Sequence, residues 1–336
     1  MSSALFEKVQ SEIPLDILLE IKEHATAVEA KLDLETKSAV SLVGAVNKLT
    51  LEAGGKRLRP MMAALAAKCL SNEVDPDRTA AIGACLEMIH MATLIHDDVI
   101  DEAATRRGKP TAASVYGPTP SILSGDVLLS RAMRILAQDG DLKVIRLVSD
   151  AVVEMAEGEV REIEVRGDFD LTKEDHYKIL RMKTAGFIEC CCRAGSILAG
   201  GTQEQEDALG SFGHHIGMAF QIADDLLDFR GDHAKTGKPR ATDFREGCVT
   251  LPLIYLRHEL NAEENEFTRR KFGNGVTNED LDKIGDWMAD RGCFAKTSDD
   301  AQKHIESALE SLKVLPESSY RNLLEAVSGF VVTRES

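Results

Sequence analysis

The chain has 336 residues, of which 43% are hydrophobic and 29% are charged, and its formal net charge is −16. This balance predicts a folded globular protein and excludes a disordered or coiled-coil chain. A surface this acidic does not attract nucleic acid or an anionic membrane, so an anionic substrate must be held by a local basic cluster or by metal ions.

The seven cysteines are an odd number with no Cys-x-x-Cys pair, which indicates a reducing compartment. Adjacent Cys190, Cys191 and Cys192 are interpreted as small buried residues of a packed helix. The first residues lack the basic start and apolar core of a signal peptide, and no run approaches the roughly 20 apolar residues of a membrane span. We therefore expect a cytoplasmic protein with no transmembrane segment and no nucleic-acid partner.

Apolar residues recur at three- and four-residue intervals over most of the chain, whereas the alternation typical of strands is missing. The pattern predicts helices over 15–50, 60–70, 78–101, 119–138, 142–165, 173–200, 204–230, 250–260, 279–291, 298–313 and 317–333. The least structured stretches are 53–59, 102–118, 231–249 and 270–278. No low-complexity linker divides the chain, so we expect an all-α protein with one domain over residues 1–336.

Two of the long predicted helices end in the pattern Asp-Asp-x-x-Asp. The outer aspartates are Asp97 and Asp101 in the first motif, and Asp224 and Asp228 in the second. Residues four apart lie on one face of a helix, where two like charges destabilise it, and the negative end of the helix dipole adds to the cost. A divalent cation would relieve this repulsion, and carboxylate oxygens without His or Cys partners favour Mg2+ over zinc. Solvated helix ends could explain one such motif, but two favour a metal-bridged diphosphate.

Basic loops accompany both motifs. The sequence GGKRLRP at 54–60 combines glycines, which allow a close approach of the backbone, with arginines, whose planar forks match phosphate oxygens. Arg106, Arg107 and Lys109 follow the first motif, while Lys235, Lys238 and Arg240 follow the second. Each cluster alone could be an ordinary surface loop. In a chain this acidic, three such clusters near carboxylates indicate two anionic substrates.

Taken together, these residues resemble the trans-isoprenyl diphosphate synthase family, the polyprenyl synthetases, from about residue 40 to Arg334. The resemblance rests on GGKRLRP at 54–60, EMIHMATLIHDDVIDEAATRRGKPT at 87–111, GD at 125–126, KT at 183–184, FQIADDLLDF at 220–229, GKP at 237–239 and TLP at 250–252. It implies a single large helical bundle around a central catalytic cavity, and a homodimer.

The resemblance also implies a role for each matching residue. Asp97, Asp101, Asp224 and Asp228 would bind the Mg2+ ions that hold the allylic diphosphate. Isopentenyl diphosphate would be bound by Lys56, Arg59, His90 and Arg107. The allylic diphosphate, such as farnesyl diphosphate, would be bound by Arg106, Lys183, Thr184, Gln221 and Lys238. Asp97, Asp101, Arg106, Lys183, Asp224 and Asp228 are the residues on which catalysis would depend.

One part of the motif departs from the family pattern. Where members commonly have Gly-Lys before Thr-Leu-Pro, this chain has Gly247-Cys248-Val249-Thr250, so a phosphate-contacting lysine is replaced. Arg245 or Lys235 is the expected substitute. Ala241, at a position where glycine is common, changes the same loop.

The predicted reaction is the condensation of isopentenyl diphosphate with an allylic diphosphate, in isoprenoid biosynthesis. The allylic diphosphate ionises, with Mg2+ and basic residues stabilising the departing anion, and the second substrate attacks the cation. Ala92 and Thr93 lie one turn before Asp97, and such small side chains leave room for a growing tail. We expect an all-trans product of about six to nine isoprene units (about C30–C45), although small residues could instead serve close helix packing.

Three alternatives remain. A synthase of farnesyl or geranylgeranyl diphosphate would share the motifs and differ in product length. A terpene cyclase would normally lack the second aspartate motif and GGKRLRP, and would have more than the 5% aromatic residues present here. A non-catalytic subunit of a heteromeric synthase would usually have lost aspartates or the basic loop.

Overall fold

The computed structural model describes residues 14–230 and 240–332. Its regular structure is almost entirely helical, which confirms the all-α prediction. The α-helices, numbered in chain order over these residues, are α1 Leu15–Thr36, α2 Ser41–Glu52, α3 Leu58–Leu70, α4 Pro76–Ile100, α5 Ala112–Tyr116, α6 Pro118–Asp139, α7 Leu142–Val165, α8 Lys173–Leu180, α9 Gly186–Leu198, α10 Gln203–Arg230, α11 Thr242–Glu246, α12 Leu251–Arg257, α13 Ala262–Lys271, α14 Asn278–Asp290, α15 Cys293–Ser311 and α16 Ser319–Val332. A π-helical turn, Arg181–Ala185, joins α8 to α9, and a 3-10 turn, Leu312–Val314, follows α15.

The described residues form two compact units. Unit 1 contains residues 14–150, 190–210 and 313–326, and unit 2 contains residues 151–189, 211–230, 240–312 and 327–332. The prediction of one domain over the whole chain stays a prediction.

Helix α4 is the central helix of unit 1 and carries the first aspartate motif at its end. It packs against α1, α3 and α6. Asp75 caps its start by accepting hydrogen bonds from the backbone N–H groups of Asp77 (2.9 Å) and Arg78 (3.2 Å), and Pro76 suits the first turn. By length and composition α4 could cross a bilayer, but 72% of its most apolar stretch is buried inside the structure, as in a core helix.

The predicted helix over 15–50 is wrong in one respect, because it is two helices. Helix α1 ends at Thr36, and Lys37 adopts an extended backbone conformation. The hydroxyl of Ser38 then accepts a hydrogen bond from the N–H of Val40 at 3.2 Å. Serine side chains that bond nearby backbone groups in this way compete with the helix.

The predicted helix over 173–200 is also interrupted, by the π turn Arg181–Ala185. Two glycines bring other helices against this turn. A Cβ atom on Gly158 would lie 2.7 Å from the Cβ of Met182, and one on Gly217 would lie 2.5 Å from the Cα of Ala185. Single π turns are frequent at functional sites, and this one carries two predicted site residues.

The core of unit 2 includes a row of aromatic rings that fixes the end of α10. Phe229, directly after the second aspartate motif, packs edge-on against Phe244, with ring centroids 6.2 Å apart. Phe244 packs against Phe272 at 5.3 Å, and Phe272 against Phe169 at 5.4 Å. Edge-to-face pairs of this kind add to the stabilisation from burial alone.

Helix α13 is not predicted from the sequence, whose pattern instead predicts an irregular stretch that includes residues 270–271. Its sequence AEENEFTRRK has no apolar stripe to reveal a helix. Two other signals were present. Asn261 and Glu264 form a capping box, and acidic residues begin the helix while basic residues end it, as the helix dipole favours.

Candidate active site

The three aspartates of the first motif have different surroundings. Asp97 is half-buried and Asp101, which caps the C-terminus of α4, is exposed. The side chain of Asp98 turns inward, with the residue only 6% exposed, and accepts a hydrogen bond from Arg106 Nε at 2.7 Å. The middle aspartate is therefore held within the protein, and Arg106, predicted to bind substrate, is its partner in this structure.

A β-hairpin follows the first motif and joins it to the GGKRLRP loop. Its strands pair Thr105 with Pro110, and Arg107 and Gly108 form its tip with φ angles of 52° and 73°. Two positive φ angles are typical of the tight hairpin turn that matches the strand twist. The guanidinium of Arg107 donates a hydrogen bond to the carbonyl of Gly54, and Lys109 donates to that of Glu52.

Arg57 anchors the GGKRLRP loop and was not singled out from the sequence. Its backbone is left-handed, with φ 48°. Its guanidinium donates to Glu29 at 2.6 Å and to Glu87 at 3.0 Å, and Glu87 is only 3% exposed. The sequence signal was Glu87 itself, an acid inside an apolar helix. Lys56 is exposed and Arg59 half-buried on the same loop.

His90 lies among the arginines of both loops. Its pKa is held well below the usual value, first by burial and then by the positive charges of Arg59, Arg107, Arg106 and Arg57. His90 is therefore neutral at pH 7 and can donate or accept a hydrogen bond. Four guanidinium groups close enough to shift one imidazole form an electropositive site suited to a diphosphate.

In the second motif the middle aspartate is again the buried one. Asp225 is 5% exposed, and one of its carboxylate oxygens lies 2.7 Å from His176 Nε2. The same oxygen accepts the N–H of Leu251 at 3.2 Å. His176 is itself 5% exposed. His176 is not among the predicted site residues, and it lies 49 residues before its partner.

The turn at 241–243 donates backbone hydrogen bonds to Asp228. Ala241 has a left-handed backbone, with φ 52°, and its N–H donates to the backbone carbonyl of Asp228 at 2.9 Å. The N–H groups of Thr242 and Asp243 then donate to the Asp228 carboxylate at 3.0 and 3.2 Å. Burial, and after it the charge of Asp228, raises the pKa of Asp243 well above its usual range. Asp243 was not predicted as a site residue.

Lys183 projects from the π turn between two carboxylates of α7. Its ammonium lies 2.9 Å from Glu159 and 2.8 Å from Glu162. Burial acts to lower its pKa, but the two carboxylates outweigh it and raise the pKa above the usual value. Thr184 follows in the same turn and is half-buried.

The remaining predicted residues are placed as follows. Gln221 and Asp224 are half-buried on α10. Lys235 and Lys238 lie outside the described residues. Ala92 is 2% exposed, and the hydroxyl of Thr93 donates to the carbonyl of His90 at 2.9 Å.

The carboxylates of the two aspartate motifs are the candidate ligands for a metal ion. Across residues 14–230 and 240–332, no group of three or more His, Cys, Asp and Glu side chains is close enough to hold a metal ion. Mg2+ commonly takes one or two protein carboxylates and completes its shell with water and substrate phosphate oxygens. The carboxylates of Asp97 and Asp101 in unit 1, and of Asp224 and Asp228 in unit 2, fit that chemistry.

Comparison with known proteins places these features in a family. The polyprenyl synthetase family model matches residues 40–287. The octaprenyl diphosphate synthase of Escherichia coli (strain K12) is 36% identical over 313 residues, which cover 93% of this chain and 96% of the relative. The structure of a decaprenyl diphosphate synthase from Rhodobacter capsulatus superposes with a TM-score of 0.90 at 32% identity, covering 96% and 100% of the two chains.

A second solved structure is informative for its ligands. The polyprenyl synthase of Caulobacter crescentus CB15, complexed with calcium and isoprenyl diphosphate, superposes with a TM-score of 0.87 at 32% identity, covering 96% of this chain and 99% of that one. The fold and the paired aspartate motifs define an all-α isoprenoid synthase. More closely, the chain belongs to the polyprenyl synthetase family, and it is a trans-prenyltransferase.

Proposed function

We propose that this protein uses Mg2+ to condense isopentenyl diphosphate with an allylic diphosphate, such as farnesyl diphosphate, and releases a long all-trans polyprenyl diphosphate of about C30–C45. The observation that carries the proposal is the electropositive cluster of Arg57, Arg59, Arg106 and Arg107 around His90, next to the carboxylates of the first motif. The similar proteins named above, which make octaprenyl and decaprenyl diphosphates, support the long product.

In this proposal each cluster binds one part of the substrates. Lys56, Arg59, His90 and Arg107 hold isopentenyl diphosphate by charge-assisted hydrogen bonds. Arg106, Lys183, Thr184, Gln221 and Lys238 hold the allylic diphosphate. Asp97 and Asp101, with Asp224 and Asp228, are the ligands for Mg2+, which when bound neutralises the charge that develops on the departing diphosphate.

The residues of the chain prepare the substrates for ionisation. The ammonium of Lys183, which pairs with Glu159 and Glu162, exchanges one carboxylate for a phosphate oxygen when substrate enters. Neutral His90 donates a hydrogen bond without adding to the local positive charge. The buried apolar side chains of α4, such as Ile89 and Ala92, exclude water from the allylic cation.

The protein would act as a cytoplasmic homodimer. Within unit 2, helix α7 exposes Val153, Val160 and Ile163, each between 46% and 58% accessible. At spacings of seven and three residues these side chains share one face of the helix, and exposed apolar faces mark association surfaces. Light scattering of the purified chain should therefore give about twice the monomer mass of 36.7 kDa.

The decisive experiment incubates the purified protein with Mg2+, isopentenyl diphosphate and farnesyl diphosphate, and sizes the products. Long polyprenyl diphosphates are expected from the wild type, and none from Asp97→Ala with unchanged helicity. A longest product of C15 or C20 would support a medium-chain synthase instead. No turnover by the chain alone, restored by a partner protein, would show a helper subunit.

A further inference from the structure

The second aspartate motif lies in an acidic environment that a diphosphate must enter. Within unit 2, the negative charges of Asp228, Asp225 and Glu162 all act on the carboxylate of Asp243. Lys183, which the proposed function assigns to the allylic diphosphate, is shared between two glutamates of α7. An allylic diphosphate adds up to about three negative charges, and each buried anion requires a cation close by. A further cation at this side would stabilise the bound substrate.

The residue at which the family resemblance implies such a cation is the half-buried Cys248. Burial raises the pKa of its thiol to about 12, and the charges of Glu162 and Asp243 add to the effect. The thiol is therefore neutral at pH 7 and supplies no positive charge. The side chain at position 248 therefore offers a bound anion no ionic partner.

Arg166 is placed beside this thiol by the backbone. It directly follows α7, and its N–H donates to the carbonyl of Ile163 at 3.3 Å. The next N–H, that of Gly167, donates to the carbonyl of Gly247 at 2.8 Å. The two segments pack so closely that a Cβ atom on Gly247 would lie 3.4 Å from Gly167 N.

The charge of Arg166 also reaches the thiol, since it opposes the rise in the pKa of Cys248. Arg166 is exposed to solvent, and its long side chain can reorient toward a ligand. A guanidinium at this place could form two parallel hydrogen bonds to phosphate oxygens.

Arg245, the expected substitute, is engaged elsewhere. Its guanidinium donates to the carbonyl of Arg240 at 2.9 Å and to that of Val276 at 3.1 Å, and a third bond reaches Asn278 at 2.6 Å. Three such bonds orient the side chain toward the start of α14. These contacts direct Arg245 away from Cys248, and its role as the substitute for the lysine stays a prediction.

We propose that Arg166 binds the diphosphate of the allylic substrate next to Cys248 and supplies there the cation that the thiol does not. This inference rests on the proposed function. It assigns a substrate-binding role to a residue that lies outside the aspartate motifs and the basic loops.

The test compares Arg166→Gln with the control Arg161→Gln. Arg161 lies on α7 five residues earlier, is also exposed, and pairs with Glu164 at 3.1 Å. Binding of the thiolo analogue of farnesyl diphosphate, which cannot ionise readily, is measured by calorimetry with Mg2+ present. We expect the Kd to rise about tenfold in Arg166→Gln and to be unchanged in the control, while KM for isopentenyl diphosphate stays the same in both.

Two rescues separate substrate binding from a structural effect. Cys248→Lys in the Arg166→Gln background should restore most of the lost affinity, because it returns a cation to the same place. Arg166→Lys keeps the charge, and its Kd for the analogue should lie within about threefold of the wild-type value. If the Cys248 variant does not fold, this second variant tests whether the positive charge is what binds the substrate. Equal affinity of the two glutamine variants, or failure of the folded charge-restoring variants, would overturn the inference. A wild-type protein without prenyltransferase activity would instead overturn the proposed function.

Discussion

Removal of the His176 imidazole should destabilise the protein strongly, because it leaves Asp225 buried with one hydrogen bond fewer. Both residues are 5% exposed, and their side-chain atoms lie 2.7 Å apart. In His176→Ala the carboxylate keeps only the N–H of Leu251, at 3.2 Å, among the contacts described for it. Breaking a buried polar pair on one side costs about 3–5 kcal/mol. We take about 3 kcal/mol, since one donor remains.

The assay is thermal unfolding followed by circular dichroism. An unfolding entropy of about 2.1 cal/mol/K per residue converts this loss into a fall in Tm of about 4 °C. His258→Ala, an exposed position after α12, is the matched control and should change Tm little. In His176→Ala/Asp225→Asn no charge is left buried, so the double variant should be more stable than His176→Ala alone. Equal Tm values for His176→Ala and the control would refute the reasoning.

Three further outcomes are expected. Burial, and then two nearby histidines, lowers the pKa of His304 from 6.5 to about 4. The unfolded chain therefore binds a proton more readily, and stability that is present above pH 6.5 is lost as the pH falls toward 4. After allowance for solvent screening, the free energy of unfolding in urea should fall by about 1 kcal/mol between pH 7.5 and pH 5. His304→Gln should remove this fall. Gly195→Ala should destabilise the protein by about 2–4 kcal/mol, because the added Cβ would lie 2.2 Å from the carbonyl oxygen of Ala63. Gly44→Ala is the control for the same urea assay. Its Cβ would make only ordinary contacts, from 3.7 Å, and should not destabilise the protein. Ala92→Phe should shorten the product ladder seen by chromatography, and an unchanged ladder would show that the small side chain of Ala92 does not make room for the growing tail.

The periodic parts of this fold were predictable because their signal is local. Helix α7 begins and ends at the residues predicted, and α4 and α10 differ from their predicted bounds by one or two residues. At the break after Thr36 the hydroxyl of Ser38 accepts a backbone hydrogen bond, and a serine there does not disturb the apolar pattern. The π turn before α9 lies where other helices pack closely, and no sequence period contains that information.

The candidate site likewise has features that local sequence signals predict and features that depend on the tertiary fold. The spacing of Asp97 and Asp101 is visible in the sequence, because an i, i+4 pair shares a face wherever the helix is placed. The partner of Asp225 could not be predicted, since His176 lies 49 residues away and reaches it only through the tertiary fold. The hairpin tip at Arg107 could have been predicted from the sequence, because the adjacent glycine is a local signal for a turn with positive φ.

The middle aspartate explains how two like charges come to be fixed on one helix face. Successive residues of a helix are rotated by about 100°, so a side chain next to the outer pair must point elsewhere. In the first motif Arg106 holds Asp98 inside the protein, and in the second His176 holds Asp225. Each buried bond resists rotation of its helix about the axis and so fixes the direction of the outer carboxylates. Because Arg106 belongs to the hairpin that also contacts the GGKRLRP loop, the first motif and the basic cluster of unit 1 are oriented by the same contacts.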